Sequence, residues 1–237
     1  MKKYEAVAEK IKKRIFDGTY QPRTLLPNQL ELADEFNVSK ITVKRALDYL
    51  ESIGLLYKQS GLGTYVLGNI SLMGENDSPV GAFQGLKSQL GDRVSSRVIK
   101  FEVTFPTKDL CRRLDIKETE PVYQIIRLRL LDKQPFIIEH SYMPVRLVPS
   151  LSEDVLEQSI YKYIHQKLQI KFGGAFRKIN ADRADQYDIK YLGAKKDTPI
   201  LEVEQIVWTS NGQNIEYSRS RNLYNKRSYT VVETNYD

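Results

Sequence analysis

Apolar residues in the first fifty positions recur at helical spacing. Tyr4, Val7, Ala8, Ile11 and Ile15 lie on one side of a stretch whose other side carries lysines, predicting a helix over 3–17 that stops at Gly18. Asn28 followed by Glu31 has the form of a capping box, and Leu32, Ala33 and Phe36 supply the apolar face of a second, short helix. The pattern breaks sharply at 36–38, where Asn37 tolerates left-handed backbone. Ser39 then caps a third helix, with Val43, Ala46, Leu47 and Leu50 inward and Lys40, Ile41, Lys44 and Arg45 outward. Past residue 54 a hairpin follows: Leu55 and Leu56 open a strand, Gly61 and Gly63 permit a tight reversal, and Thr64, Tyr65 and Val66 return. Helices about a tight turn, closed by a glycine-tipped hairpin, form the pattern of a winged helix-turn-helix.

Residues 67–80 are rich in Gly, Asn and Ser without a clear period, so 69–80 is expected to be a linker between residues 1–68 and a larger domain over 81–237. The larger domain alternates helices and strands. A helix is expected over 81–90, a strand over 93–105, a helix over 107–116, and two strands within 121–144 about a turn at Asp132-Lys133. A helix over 159–168, a strand over 175–184 and a helix stopped by Gly193 follow. The tail is strongly β, and Asn211-Gly212 predicts a type I′ hairpin. Sequential hairpins with a few helices give an antiparallel α+β domain, so the fold class of the whole is α+β.

Composition narrows the function. The chain has 237 residues, 41% hydrophobic and 28% charged, enough for a real core. No apolar run reaches the ~18 residues of a spanning helix, and the basic start lacks an apolar signal core. One cysteine, Cys111, excludes an internal disulfide and fits a reducing cytoplasm. The two histidines, His140 and His165, lie far from any second Cys or His, so neither a metal nor another cofactor is expected. A net charge of +6 permits nucleic-acid binding without requiring it. Local placement decides: Glu31, Asp34 and Glu35 sit on the supporting helix, while Lys40, Lys44 and Arg45 sit on the one that would enter a major groove.

The stretch "LPNQLELADEFNVSKITVKRALDYLESIGLLYKQSGLGTYV" resembles the DNA-binding domain of the GntR family of bacterial transcription regulators. The resemblance implies contact with double-stranded DNA through Ser39, Lys40, Thr42, Lys44 and Arg45, with Gly61 bringing the wing close to the minor groove. Three positions depart from the family. Leu30 replaces an arginine, and Lys40 and Lys44 stand where arginines are usual. Arginine binds guanine as a planar fork and lysine as a point charge, so altered base preferences are expected, with Leu30 packing or touching a thymine methyl.

"VYQIIRLRLLDKQPFIIEHSYMP", "SIY" at 159–161 and "GQNIEYSRSRNLYN" resemble the UTRA effector-binding domain of the HutC branch of that family, which has a chorismate lyase-like fold. Alternation places Arg127 and Arg129 on one strand face, with Glu139 opposite if the hairpin keeps register. Ser159 and Tyr161 offer hydroxyls at a helix start. The resemblance implies that Arg127, Ser159 and Tyr161, with backbone near Gln84, hold an anionic group, and that Arg129, Glu139 and Glu216 bind the polar body of an effector. Asn222 stands where sugar-phosphate readers often have tyrosine, leaving room for a larger effector such as a disaccharide phosphate. The competing reading of Arg127, Arg129 and Glu139 is an exposed ion-pair ladder of little energetic weight.

The expected function is a homodimeric, cytoplasmic transcription repressor of a carbohydrate uptake or catabolism operon. It would bind a palindromic operator and be released by a sugar phosphate. Two other readings compete, a ligand-blind DNA-binding protein and a small-molecule enzyme of lyase-like fold. The second is disfavoured because no nucleophile–base pair or phosphate loop stands out and His140 and Glu139 point to opposite strand faces.

Overall fold

The computed structural model of the chain describes residues 3–68, 78–79 and 85–231. The chain divides into two compact units, residues 1–82 with 228–237, and residues 83–227.

The first unit packs α1 (Lys3–Phe16), α2 (Gln29–Phe36) and α3 (Lys40–Ser52) around Val7, Ile11, Leu32, Val43, Leu47 and Leu50, all buried. Local chemistry sets each boundary. Asn28 accepts from the N–H groups of Leu30 and Glu31, and Glu31 returns the bond to Asn28, so the expected capping box is complete. Asn37 ends α2 in left-handed backbone (φ 51°, ψ 53°), and Ser39 caps α3. The wing is the antiparallel pair β1 (Leu56–Gln59) and β2 (Gly63–Val66). Gly63 is favoured there by its φ of +126°, a backbone conformation that residues with a Cβ rarely adopt.

Of the expected linker, only Ser78–Pro79 (β3) lies among the described residues. It pairs in parallel with Tyr229–Thr230 (β10), and the Ser78 N–H donates to the Ser228 carbonyl at 2.9 Å. Of the helix expected over 81–90, the described part is α4 (Leu86–Leu90).

The second unit is built on β4 (Val94–Thr104), β5 (Val122–Leu131), β6 (Gln134–Pro144), β7 (Phe172–Arg183), β8 (Pro199–Thr209) and β9 (Asn214–Leu223). They form one antiparallel sheet in the order β4-β5-β6-β9-β8-β7. One face packs on α6 (Glu153–Glu157) and α7 (Ile160–Gln166) through Tyr123, Ile125, Met143, Leu156, Ile160 and Ile164. The other packs on α5 (Lys108–Leu114) and α8 (Gln186–Leu192) through Leu110, Leu114, Leu128, Ile138 and Leu192.

Two turns reverse the expected distribution of turn chemistry. Asp132 and Lys133 both have positive φ (49° and 65°), so this two-residue reversal is of type I′. At Asn211-Gly212, where type I′ was expected, only Gly212 has positive φ (84°). The Gly212 N–H donates to the Thr209 carbonyl, and Thr209 and Gln213 pair across a longer loop. Asn211 stays in ordinary backbone, its side-chain carbonyl accepting from the Thr209 hydroxyl. That is a type I turn closed by a glycine bulge, which needs left-handed backbone only at Gly212.

The α8 face holds a buried ionic cluster that sequence reasoning did not find. Arg221 is 1% exposed and reaches Asp188 Oδ2 at 2.7 Å, Asp182 at 2.7 Å, Glu202 and the Arg183 carbonyl. Breaking such a pair strands a buried charge at a cost of about 3–5 kcal/mol. Arg221→Ala leaves the fully buried Asp188 without its cation and is therefore expected to lose on the order of 3 kcal/mol in urea denaturation; a loss under ~1 kcal/mol would show that the cluster is solvated.

His140 lies on the same face, its ring edge-on to Tyr187 at 5.0 Å and its Nε2 buried without a hydrogen-bond partner. Burial holds it below the ordinary 6.5, against the opposing pull of Asp185, with Arg219 and Arg221 adding to the depression and Asp188 opposing it. The unfolded chain therefore takes up this proton first, and stability present above pH ~6.5 is lost as pH falls through that value. Denaturation midpoints at pH 7.5 and 5.5 should differ more for the native protein than for His140→Gln; equal differences would mean that His140 does not contribute.

Candidate functional site

In the first unit the exposed face of α3 carries the expected basic residues. Lys40, Ile41, Lys44 and Arg45 are exposed and Thr42 is half-buried. The Ser39 hydroxyl accepts from the Thr42 N–H at 3.3 Å and lies 2.9 Å from the Thr42 hydroxyl, so its first task is to start the helix. Gly61 sits at the wing tip with φ +73° and no atom within 4 Å of where a Cβ would be. Two of the three acids of α2 have internal partners: Glu31 closes the capping box and Glu35 pairs with Arg14 of α1, while Asp34 is exposed. Lys58 of β1, which sequence reasoning passed over, reaches Asp48 and Glu51 of α3, both at 2.5 Å. This pair of bonds ties the wing to α3. Leu30 and Ile41 are 60% and 67% exposed, large apolar side chains left in solvent at the starts of the two helices.

In the second unit the α6 face of the sheet brings most of the remaining candidates together. Arg127 pairs directly with Glu139 across β5 and β6, donating from Nη2 at 2.7 Å, and Arg129 Nη1 reaches the same carboxylate at 3.2 Å. Uninterrupted pairing from the Asp132-Lys133 turn would set Arg127 opposite Ile138 instead. Leu130 pairs with Pro135 and Arg129 with Ile137, so Phe136 is an extra residue in β6. This bulge, beside a proline that cannot donate to the ladder, shifts the register by one and brings Glu139 to the arginines.

Arg127 and Arg129 are only 6% and 5% exposed, so the competing picture of an exposed ladder does not hold. Arg127 Nη1 also donates to the Leu156 carbonyl of α6 at 2.9 Å. Burial pushes the Glu139 carboxyl up, but the two guanidiniums together outweigh it and hold Glu139 below its ordinary range. Glu216 lies farther along this face, opposite Val207, and is buried. The Tyr161 hydroxyl donates to it at 2.5 Å, and Gln205 donates to that hydroxyl at 3.0 Å. Burial raises the Glu216 carboxyl, and it raises Tyr161 well above its ordinary value.

Ser159 caps α7, accepting from the Lys162 N–H at 3.3 Å. Gln84 lies outside the described residues. Asn222 is fully buried; its Nδ2 donates to the Leu223 carbonyl and its Oδ1 has no partner. Arg127 Nε and Arg129 Nε are likewise buried without hydrogen-bond partners. Sequence reasoning missed Ser96, Ser141, Ser218 and Gln205 on the same face. Their placement follows from cross-strand register, which strand alternation alone does not supply.

Comparison with known proteins agrees with this division. Residues 3–66 match the model of the bacterial regulatory proteins of the gntR family, and residues 89–226 match the UTRA domain. The HTH-type transcriptional regulator GmuR of Bacillus subtilis is 40% identical over 233 residues, 98% of each chain. The mannosyl-D-glycerate transport/metabolism system repressor MngR of Escherichia coli is 30% identical, over 95% of this chain and 92% of its own. The crystal structure of the possible transcriptional regulator YydK from Bacillus subtilis superposes with a TM-score of 0.76 at 27% identity, over 99% of this chain and all of that one. A DNA-binding head joined to a UTRA domain makes a transcription regulator rather than an enzyme, and the chain belongs to the GntR family, in the HutC branch that carries the UTRA domain.

Proposed function

We propose that the protein is a homodimeric cytoplasmic repressor of a carbohydrate uptake or catabolism operon, released from a palindromic operator by a phosphorylated sugar. The observation that carries this reading is the pair of buried guanidiniums. Arg127 and Arg129 share one carboxylate, Glu139, and each keeps an unpartnered buried Nε. Leaving a buried donor unmade costs about 1–3 kcal/mol, and an anion that accepts from both recovers that energy. Burial pushes the Glu216 carboxyl above its ordinary range, with the Tyr161 hydrogen bond and Arg127 opposing that rise. Arg127, Ser159 and Tyr161 would hold the phosphate, with backbone near Gln84. Arg129, Glu139, Glu216 and Asn222 would take the polar body of the sugar. MngR, by its name the repressor of a system for a sugar derivative, supports the carbohydrate assignment.

On the DNA side, Lys40, Thr42, Lys44 and Arg45 on α3 meet bases and phosphates, Ser39 orients the helix start, and Gly61 lets the wing backbone approach a groove. A dimer sets two such heads on two half-sites. The effector releases DNA by binding more tightly to an arrangement whose heads do not match that spacing, a coupling that is typically 1–3 kcal/mol.

Selection of bound sequences from a random DNA pool, with and without a panel of sugar phosphates, tests the whole reading. The expected result is a palindromic site whose occupancy falls with one phosphate. Sequence-blind binding that no metabolite alters would instead support a ligand-blind DNA binder. Arg127→Ala should stay on the operator at effector concentrations that release the native protein; release at the same concentration would remove Arg127 from the site. Leu30 and Ile41 are expected to meet thymine methyls, since apolar side chains read that group in the major groove. Replacing thymine by deoxyuridine at single operator positions should weaken binding several-fold at one or two positions per half-site. A Leu30→Ala, Ile41→Ala variant should lose that sensitivity, and if native binding ignores the methyl groups, neither residue reads them.

A further inference from the structure

The wing ends in one large apolar side chain. Leu62 is 59% exposed at the tip between β1 and β2, with Gly61 and Gly63 on either side. Both glycines have positive φ (73° and 126°), and the Leu62 N–H donates to the Gln59 carbonyl at 3.0 Å to close the turn. Between two neighbours without a Cβ, the tip is bare backbone carrying a single isobutyl group.

That group is also held in place. β2 is hydrogen-bonded along both edges, to β1 and to the segment before α2. The Leu26 N–H donates to the Thr64 carbonyl at 2.9 Å, and the Val66 N–H to the Thr24 carbonyl at 3.0 Å. Lys58, through Asp48 and Glu51, fixes β1 to α3. With α3 in a major groove, the tip therefore has a fixed reach to the DNA beside it. Lys58 is the only basic residue within 56–66, and its two acid partners occupy it. Minor-groove readers ordinarily use Arg, Lys, Asn or Gln at such a point, and this tip offers a hydrocarbon instead.

We propose that Leu62 is a specificity-determining residue, selecting an A·T pair by contact with the floor of the minor groove. The inference rests on the reading of α3 and the wing as the DNA-contacting surface, and it adds a base-reading side chain to that surface. In the minor groove A·T and T·A pairs present only acceptors, whereas a G·C pair adds the guanine N2 amino donor. The groove is about 6 Å wide, so a side chain on its floor displaces the water that would otherwise bond this amino group. Leucine offers no acceptor in return. An amino group left unmade beneath it is penalised more than a partly satisfied acceptor, so the apolar tip discriminates against guanine. The same tip without Cβ atoms at Gly61 and Gly63 lets the backbone come close enough for the isobutyl group to reach the floor.

The test uses the full-length protein and its selected operator, with binding read by fluorescence anisotropy. Minor-groove chemistry is altered alone, one pair at a time outside the pairs that α3 covers. Replacing adenine by 2-aminoadenine adds the amino group, replacing guanine by inosine removes it, and both leave the major-groove edge unchanged. At one pair per half-site, 2-aminoadenine should weaken native binding roughly 10-fold. Inosine–cytosine at that pair should bind within about 2-fold of A·T, and G·C should bind as weakly as the 2-aminoadenine pair. Leu62→Ala, which keeps Gln59 and Ser60, should bind all of these operators alike. Leu62→Gln, whose amide oxygen accepts, should favour the 2-aminoadenine operator. A native protein indifferent to the amino group at every such pair overturns the assignment and leaves the reading of α3 intact. Sequence-blind binding overturns both. Discrimination that persists in Leu62→Ala also overturns the assignment, because the preference then comes from groove width rather than from this side chain.

Discussion

Arg127 stands opposite Glu139 because β6 contains one residue too many. The type I′ turn at Asp132-Lys133 starts the hairpin in one register, and the bulge at Phe136 moves it to another. A one-residue slip would exchange the two faces of the strand. Glu139 would then face α8, and Ile138 would lie beside the guanidiniums in its place. The Phe136 side chain is buried against Val94, Leu131 and Ile137, so its packing favours the shifted register. The polar constellation of the α6 face depends on that placement, since two buried arginines without their shared carboxylate would leave two uncompensated charges.

The same sheet buries ionic groups on both faces, with opposite outcomes. On the α8 face Arg221 is surrounded by Asp182, Asp188 and Glu202, and its guanidinium has partners on every side. That cluster locks β8, β9 and α8 together. On the α6 face two arginines meet one strongly bound carboxylate and keep open Nε groups. Satisfied groups rigidify and unmade ones stay costly; the Arg221 cluster leaves Asp188 Oδ1 without a partner, and the α6 face leaves the Nε of both arginines. The two sets are built from the same residue types one strand position apart.

The DNA-binding unit uses its charges in a comparable division. Acids on α2 and α3 pair inward with Arg14 and Lys58 or close a cap, which leaves the bases near the start of α3 facing outward. The charge asymmetry along the sequence is therefore structural for Glu31 and Glu35 in its acidic half, while the bases of its second half stay exposed. Tyr57 and Tyr65 stack across the wing at 5.3 Å, stiffening a two-stranded hairpin that would be marginal alone.

Helices and caps of the first unit were legible in the sequence because their determinants are local. Asn28 with Glu31, Asn37 and Ser39 act within four residues of themselves, and the apolar periods of α1 and α3 name their own core. The strands of the second unit and the shared face of Arg127 and Arg129 were legible by the same alternation. What lay beyond the sequence is everything that depends on register between strands distant in the chain. The pairing of Ser78–Pro79 with Tyr229–Thr230 and the Arg221 cluster are of this kind, while the Phe136 bulge and the Asn211 loop are choices of turn and register within single hairpins. The sequence by itself determined which residues form helices and strands and which side chains share a strand face, because those follow from periods of 3.6 and 2. Only the tertiary structure decided which faces meet, because one inserted residue reverses a face and its cost is set by packing contacts that no local pattern encodes.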